Sequence, residues 1–206
     1  MTPVLSYILC MKKLLLLSTL LLAACAGSGK TAQNPDPNHT HADFAVWILG
    51  EKIDFSDAKY MSGYEDDHDH EHVHLHEYYH LHDGVGNVIH RHKPGLPLEE
   101  FLESVGMEIG EDCVTFSGDS SYCSTDEYSW IMAVNGDIRP LDGGYVFEDT
   151  DHILLSYGAT ADEVRSQIQQ LTDDSCLYSR TCPERGDPPA ENCIADPAVP
   201  CVAPVE

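Results

Sequence analysis

Every histidine between residues 68 and 92 stands at an even position. In the alternating segments 73–81 and 89–91 the odd positions are mostly apolar: Val73, Leu75, Tyr79, Leu81 and Ile89, with Glu77 and Arg91 the exceptions. In extended chain, successive side chains point to opposite faces. A strand pair made from HVHLHEYYHLH (His72 to His82) and NVIHRH (Asn87 to His92) therefore has one hydrophobic face and one imidazole face. The intervening Asp83-Gly84-Val85-Gly86-Asn87 is a strong turn signal, and the two segments are expected to form a hairpin.

Two registers fit that hairpin. A loop of residues 83 to 87 sets His80 against His90 and His82 against Val88. Another odd-length loop sets His82 against His90 and His80 against His92. Both keep the four imidazoles on one side. Facing side chains have Cβ atoms about 4.5 to 5.5 Å apart, close enough for two imidazoles to share an ion at Zn–N distances of about 2.0 to 2.1 Å. His80, His82, His90 and His92 are the expected ligands, with His41 added from the first strand. His39 and His152 are weaker candidates, and Asp83 is placed to supply an oxygen or to orient an imidazole. Imidazole-rich sites suit Zn, Cu(II) and Ni. Zinc leads on abundance and geometry, and copper follows closely. The alternative is a solvated polar face that titrates near neutral pH.

The preceding run EDDHDHEHVHLHE (Glu65 to Glu77) is compositionally different. Its His68, His70, His72, His74 and His76 alternate with acidic residues at first, and it resembles the metal-collecting loops of periplasmic zinc-binding proteins. That resemblance implies weak capture at several stoichiometries. His76-Glu77-Tyr78-Tyr79-His80 also spells H-E-x-x-H. In zinc hydrolases that string works on a helix, where the two histidines share a face. Here it lies in period-two alternation, so a hydrolase using His76, Glu77 and His80 is the alternative reading. No catalytic residues are assigned.

The remaining pattern is α+β: a small mixed sheet with one main helix. ADFAVWIL (Ala42 to Leu49) is an apolar strand followed by a short partner in KIDF. LEEFLESVGM (Leu98 to Met107) is amphipathic at helical spacing, with Leu98, Phe101, Leu102 and Val105 on one face and acidic residues in its first turn. YSWIMAVNG and TDHILLSYG are later strands, and Asn135-Gly136-Asp137 is a turn. The segment from Tyr128 to Gly158 resembles the last strands of β-grasp domains, the ubiquitin-like sulfur carriers among them. There is no exposed terminal Gly-Gly, so a sulfur-carrier role does not follow.

The organisation expected from the sequence has four parts. Residues 1–25 are a signal peptide, 26–38 a polar tether with Pro35 and Pro37, and 39–161 the histidine-rich domain. Residues 162–206 are a short helix followed by a Cys- and Pro-rich tail. Excluding Cys10 and Cys25, six cysteines remain, an even number that predicts disulfides in an oxidising compartment. Cys113 and Cys123 flank VTFSGDSSY and are expected to pair across a hairpin. Cys176, Cys182, Cys193 and Cys201 allow three pairings within the tail. With 35 acidic against 11 basic residues and a net charge of −24, the chain lacks the basic footprint that nucleic acid requires.

Near the N-terminus, Met11-Lys12-Lys13 is followed by LLLLSTLLLAAC, the order of parts in a signal peptide; Met11 is read as the start. The apolar run from Leu14 to Ala24 is short for a bilayer span. Leu22-Ala23-Ala24-Cys25 resembles the lipobox of bacterial lipoproteins. That resemblance implies cleavage before Cys25, a diacylglyceryl thioether on it and stable anchoring by its acyl chains. Ala26, rather than Asp, implies the outer membrane if the cell has two. The stretch from His39 to Met107 resembles a poorly characterised family of exported histidine-rich prokaryotic domains, for which no activity follows. Three readings emerge: a metal-binding lipoprotein for capture, buffering or delivery to a transporter; the zinc hydrolase; and an envelope protein whose self-association is held by ions.

Overall fold

The computed structural model describes residues 32–62, 64–65, 72–73, 75–118 and 120–187. The expectations for Cys25, His68, His70, His74, Cys193 and Cys201 lie outside these residues, as does the side chain of His72. In chain order the elements are β1 (Thr40–Ile48), β2 (Glu51–Lys52), a 3-10 turn at Ala58–Tyr60, β3 (Tyr64–Glu65), β4 (His72–Val73), β5 (Tyr79–His80) and β6 (Val88–Arg91). Then follow α1 (Leu98–Ser104), β7 (Met107–Ile109), β8 (Cys113–Phe116), β9 (Ser120–Cys123), β10 (Trp130–Val134), β11 (Asp137–Pro140) and β12 (Asp151–Tyr157). Two helices, α2 (Ala161–Ile168) and α3 (Ser175–Tyr178), and a 3-10 turn at Pro183–Arg185 close the described chain.

The main sheet has the order β11-β10-β12-β1-β6-β5, with β2 added to β1. β1 and β12 are parallel, and the other pairings are antiparallel. This makes the domain α+β with a mixed sheet.

β1 is buried along both faces, and its alternation decides what each face holds. Ala42, Phe44, Val46 and Ile48 enter the larger core with Tyr79, Leu81, Ile89, Met132, Ile153 and Leu155. The apolar stripe of α1 seals this face: Leu98, Phe101 and Leu102 are all buried, and the Phe101 ring meets Phe44 edge-on at 5.0 Å. On the opposite face Ala45 packs with Ala133, Leu154 and Val164 of α2. Thr160 and Glu163 form a reciprocal capping box that starts α2, satisfying amides that have no partner inside the helix.

Two details differ from the sequence reading, and a third adds to it. The stretch from 72 to 82 is not one strand. His76 Nδ1 accepts the backbone N–H groups of Tyr78 at 3.0 Å and Tyr79 at 3.1 Å; both amides are thereby withdrawn from a ladder, and the chain bends before β5. The helix expected to reach Met107 stops at Ser104, because Gly106 has φ 80°, the left-handed conformation that ends helices. Met107 then begins β7. Thirdly, part of the tail is docked: Cys176, Tyr178 and Cys182 are buried. Cys176 is bonded to Cys182, which selects one local pairing among those left open. Cys113 lies opposite Cys123 in the β8–β9 pair, and a disulfide joins them.

The β5–β6 turn sits tightly on the core. A Cβ at Gly86 would lie 2.4 Å from the Phe55 carbonyl carbon, so no larger residue fits without moving backbone. Phe101→Ala removes the ring that joins α1 to the sheet. It is expected to cost about 3–5 kcal/mol, read as a lower urea midpoint with an unchanged m-value. A loss below about 1 kcal/mol would mean that the core collapses around the gap.

Candidate metal centre

The register of the hairpin places His80 opposite His90 and Tyr79 opposite Arg91, the arrangement given by a loop of residues 83 to 87. Next in the sheet, β1 sets His41 opposite His90. Three neighbouring strands thus bring imidazoles to the face away from α1. Tyr79 and Ile89 go to the core, and Arg91 lies over the Phe147 ring, 4.2 Å from its centroid.

The cluster holds His39, His41, His80, His82, His90 and His92. His41, His82 and His90 are buried at 1%, 4% and 0% exposure, forming a floor beneath the half-buried His39, His80 and His92. Two groups of three have ligand atoms within 4.8 Å of one another: His39, His41 and His90; and His80, His82 and His90. In a tetrahedral site with Zn–N of about 2.0–2.1 Å the nitrogens lie about 3.3 Å apart. His39 Nε2 and His41 Nε2 are already separated by 3.1 Å, and His80 Nε2 and His92 Nε2 by 3.4 Å.

Hydrogen bonds aim two of the floor imidazoles. His82 Nδ1 lies 2.9 Å from Asp83 Oδ2. A carboxylate accepts, so the proton sits on Nδ1 and the Nε2 lone pair is presented inward. That Nε2 is buried, with no hydrogen-bond partner among the described residues. His41 is held through a relay. Ser179 Oγ donates to Asp149 Oδ1 at 2.6 Å and can then only accept from His41 Nδ1, 2.8 Å away. The His41 Nε2 lone pair is thereby directed towards His39. Both are the carboxylate-backed arrangement that orients metal-binding imidazoles. Burial, followed by repulsion from His90, His92, His82 and His39, holds the His80 pKa well below the usual 6.5. The ring is thus kept neutral and able to ligate.

A cover lies over this face. Tyr178, at the end of α3, has its ring centroid 4.8 Å from that of His90 and 5.6 Å from that of His41. The cover is anchored on Asp43, which is fully buried beside His41 on the same face of β1. Its carboxylate accepts from Thr172 Oγ1 at 2.5 Å, Asp174 N at 2.9 Å and Ser175 N at 3.0 Å. Asp43, His152 and Asp173 form a third group with ligand atoms within 4.8 Å. This group is already neutralised in part: the Asp43 carboxylate is hydrogen-bonded as above, and Arg185 Nη1 lies 3.4 Å from Asp173 Oδ2.

The geometry redistributes the roles expected from sequence. His80, His82, His90 and His41 are brought together. His92, expected as a ligand, belongs to neither three-imidazole group; it stacks between rim rings, at 4.0 Å from His39 and 4.7 Å from His80. His39, the weaker candidate, completes a group. His152 lies apart, with Asp43 and Asp173. His76 is turned away, its Nε2 3.2 Å from Glu100 Oε2. Because residues 76–80 bend into a strand and form no helix, the H-E-x-x-H string has no shared ligand face. Asp43, Asp149, Tyr178 and Ser179 carried no local signal beyond the alternation of His39, His41 and Asp43 along β1.

No protein-family model, curated protein or solved structure matches the chain. The clusters of histidine and aspartate side chains are positioned to coordinate a metal ion, and this conclusion stands on geometry alone.

An imidazole held neutral in the fold but free to protonate once unfolded makes the unfolded chain bind more protons below its usual pKa. Stability of the metal-free protein is therefore expected to fall as the pH drops from about 8 towards 5. Thermal melts in chelator would show it as a declining Tm, with a shallower decline in His80→Asn. A flat profile would show that His80 protonates equally in both states.

Proposed function

We propose that the protein is an exported, lipid-anchored lipoprotein that binds zinc or copper for capture, buffering or delivery. The observation that carries the metal reading is His82: a buried imidazole with its Nδ1 proton held by Asp83, and its Nε2 directed at a group completed by His80 and His90. Burying an imidazole lone pair without a partner is unfavourable. An ion turns that loss into a bond. Zinc and Cu(II) both suit an all-imidazole set.

Export and anchoring rest on the signal-like segment and Leu22-Ala23-Ala24-Cys25, and the paired cysteines of the domain favour an oxidising compartment. A β-grasp-like arrangement is supported by the order β6-β1-β12-β10-β11 around a parallel central pair, with α1 between β6 and β10 in the chain. Binding and release, rather than hydrolysis by the H-E-x-x-H string, is favoured because residues 76–80 form no helix and His76 faces Glu100. His68, His70, His72 and His74 would gather ions weakly, and the imidazole floor would hold them.

Elemental analysis of the full chain, purified without added metal or a histidine tag, tests the binding. The comparison background carries His68, His70, His72 and His74 replaced by Ala. It is expected to retain tightly held zinc or copper, and a further His82→Ala, His90→Ala pair to lose it. Absence of metal from both would remove the tight site. Asp83→Asn keeps the shape but weakens the hold on the His82 proton. It is expected to lower affinity by about 10- to 100-fold in competition with a chromophoric chelator, and unchanged affinity would mean that Asp83 does not orient the ligand.

A further inference from the structure

The two three-imidazole groups share one residue, His90. It lies at the centre of the floor, fully buried, with its ring centroid 4.7 Å from that of His41 on one side and 4.2 Å from that of His82 on the other. Each group adds one further buried imidazole, His41 or His82, and one rim imidazole, His39 or His80. Each buried partner has its own backing carboxylate, Asp149 through Ser179 for His41 and Asp83 for His82. The site is therefore doubled about His90: the same three parts occur on both sides of one ring. A single-ion site requires only one set.

We propose that the cluster is a two-ion centre, with one divalent ion held by His80, His82 and His90, a second by His39, His41 and His90, and the His90 ring bridging them. This rests on the metal-binding reading above and adds a second metal position to it. A neutral imidazole offers one lone pair. When the second ion binds, the remaining N–H bond of His90 breaks, its proton leaves to solvent and a second metal–nitrogen bond forms from the electron pair left behind. No change of oxidation state is needed. Two dications close together repel strongly in a buried site. The imidazolate charge and the carboxylates of Asp83, Asp149 and Asp43 offset them. His92, stacked on both His39 and His80, lies at the rim between the two positions.

The experiment uses Cu(II), which favours imidazole nitrogen, added to the full chain bearing the His68, His70, His72 and His74 to Ala changes. Bound copper is counted after gel filtration, and the electron paramagnetic resonance signal is integrated before and after acid release. An imidazolate-bridged Cu(II) pair couples antiferromagnetically. The expected result is about two ions per chain, most of the signal lost in the loaded protein, and the full signal recovered on release. His39→Ala, a change at the half-exposed rim, is expected to leave about one ion with a full mononuclear signal. One ion per chain in the parent protein would overturn the second position and leave the metal-binding reading intact. Two ions with full, uncoupled signals would overturn the bridge. No retained copper would overturn the metal-binding reading for this ion, and the two-ion centre with it.

Discussion

A carboxylate taken out of water has to be met by donors, and Asp43 is taken out of water completely. The side chain comes from β1, the sheet's longest strand, and its donors come from the segment after α2: the Thr172 hydroxyl and the amides of Asp174 and Ser175. Those amides open α3, so the buried charge also answers helix-start N–H groups that have no partner within the helix. The same contact draws α3 across the sheet face that carries the imidazoles. Asn87 adds to that anchor by donating to Thr172 Oγ1 and Asp174 Oδ2, and together they set Tyr178 over His41 and His90 and bring Ser179 between Asp149 and His41. The Cys176–Cys182 disulfide closes the chain around this turn, reducing the freedom of the cover.

Under that cover, the site has the properties a metal requires of a protein. Its deepest imidazoles, His41, His82 and His90, are buried, and above them burial and neighbouring rings keep the His80 ring neutral. Two of them have their tautomer chosen by a hydrogen bond to the outer nitrogen. The rim histidines His39, His80 and His92 are half-buried and so remain in contact with solvent. The acidic character of the chain attracts cations to this surface before any ligand is engaged.

Much of this was legible in the sequence because a strand translates residue parity directly into sidedness. Even-numbered histidines within the hairpin share a face, and the turn at Asp83 to Asn87 restricted it to registers that keep His80, His82, His90 and His92 together. The amphipathic stripe of α1 was readable for the same kind of reason, as was the pairing of Cys113 with Cys123 across a short hairpin. Parity did not say where strands stop. The interruption at His76 depends on a ring nitrogen accepting two backbone amides, and the end of α1 depends on Gly106 taking a left-handed conformation. Nor did it rank His39 above His92. Their difference depends on whether a ring at the end of a strand turns towards the floor or stacks along the rim, which neighbouring rings decide.

What the sequence by itself determined is the separation of an imidazole face from an apolar face, since that follows from a period of two along the backbone. The register of β1 beside the hairpin was decided only by tertiary structure, and with it the doubling of the cluster around His90. So were the covering of that face by residues 172 to 182 and the recruitment of Asp149, through Ser179, as a backing acceptor. Asp149 stands 108 residues from His41 in the chain. Contacts over such separations are set by how β1 and β12 pair in parallel and by where a buried charge finds its donors, and neither is encoded in any local pattern of residues.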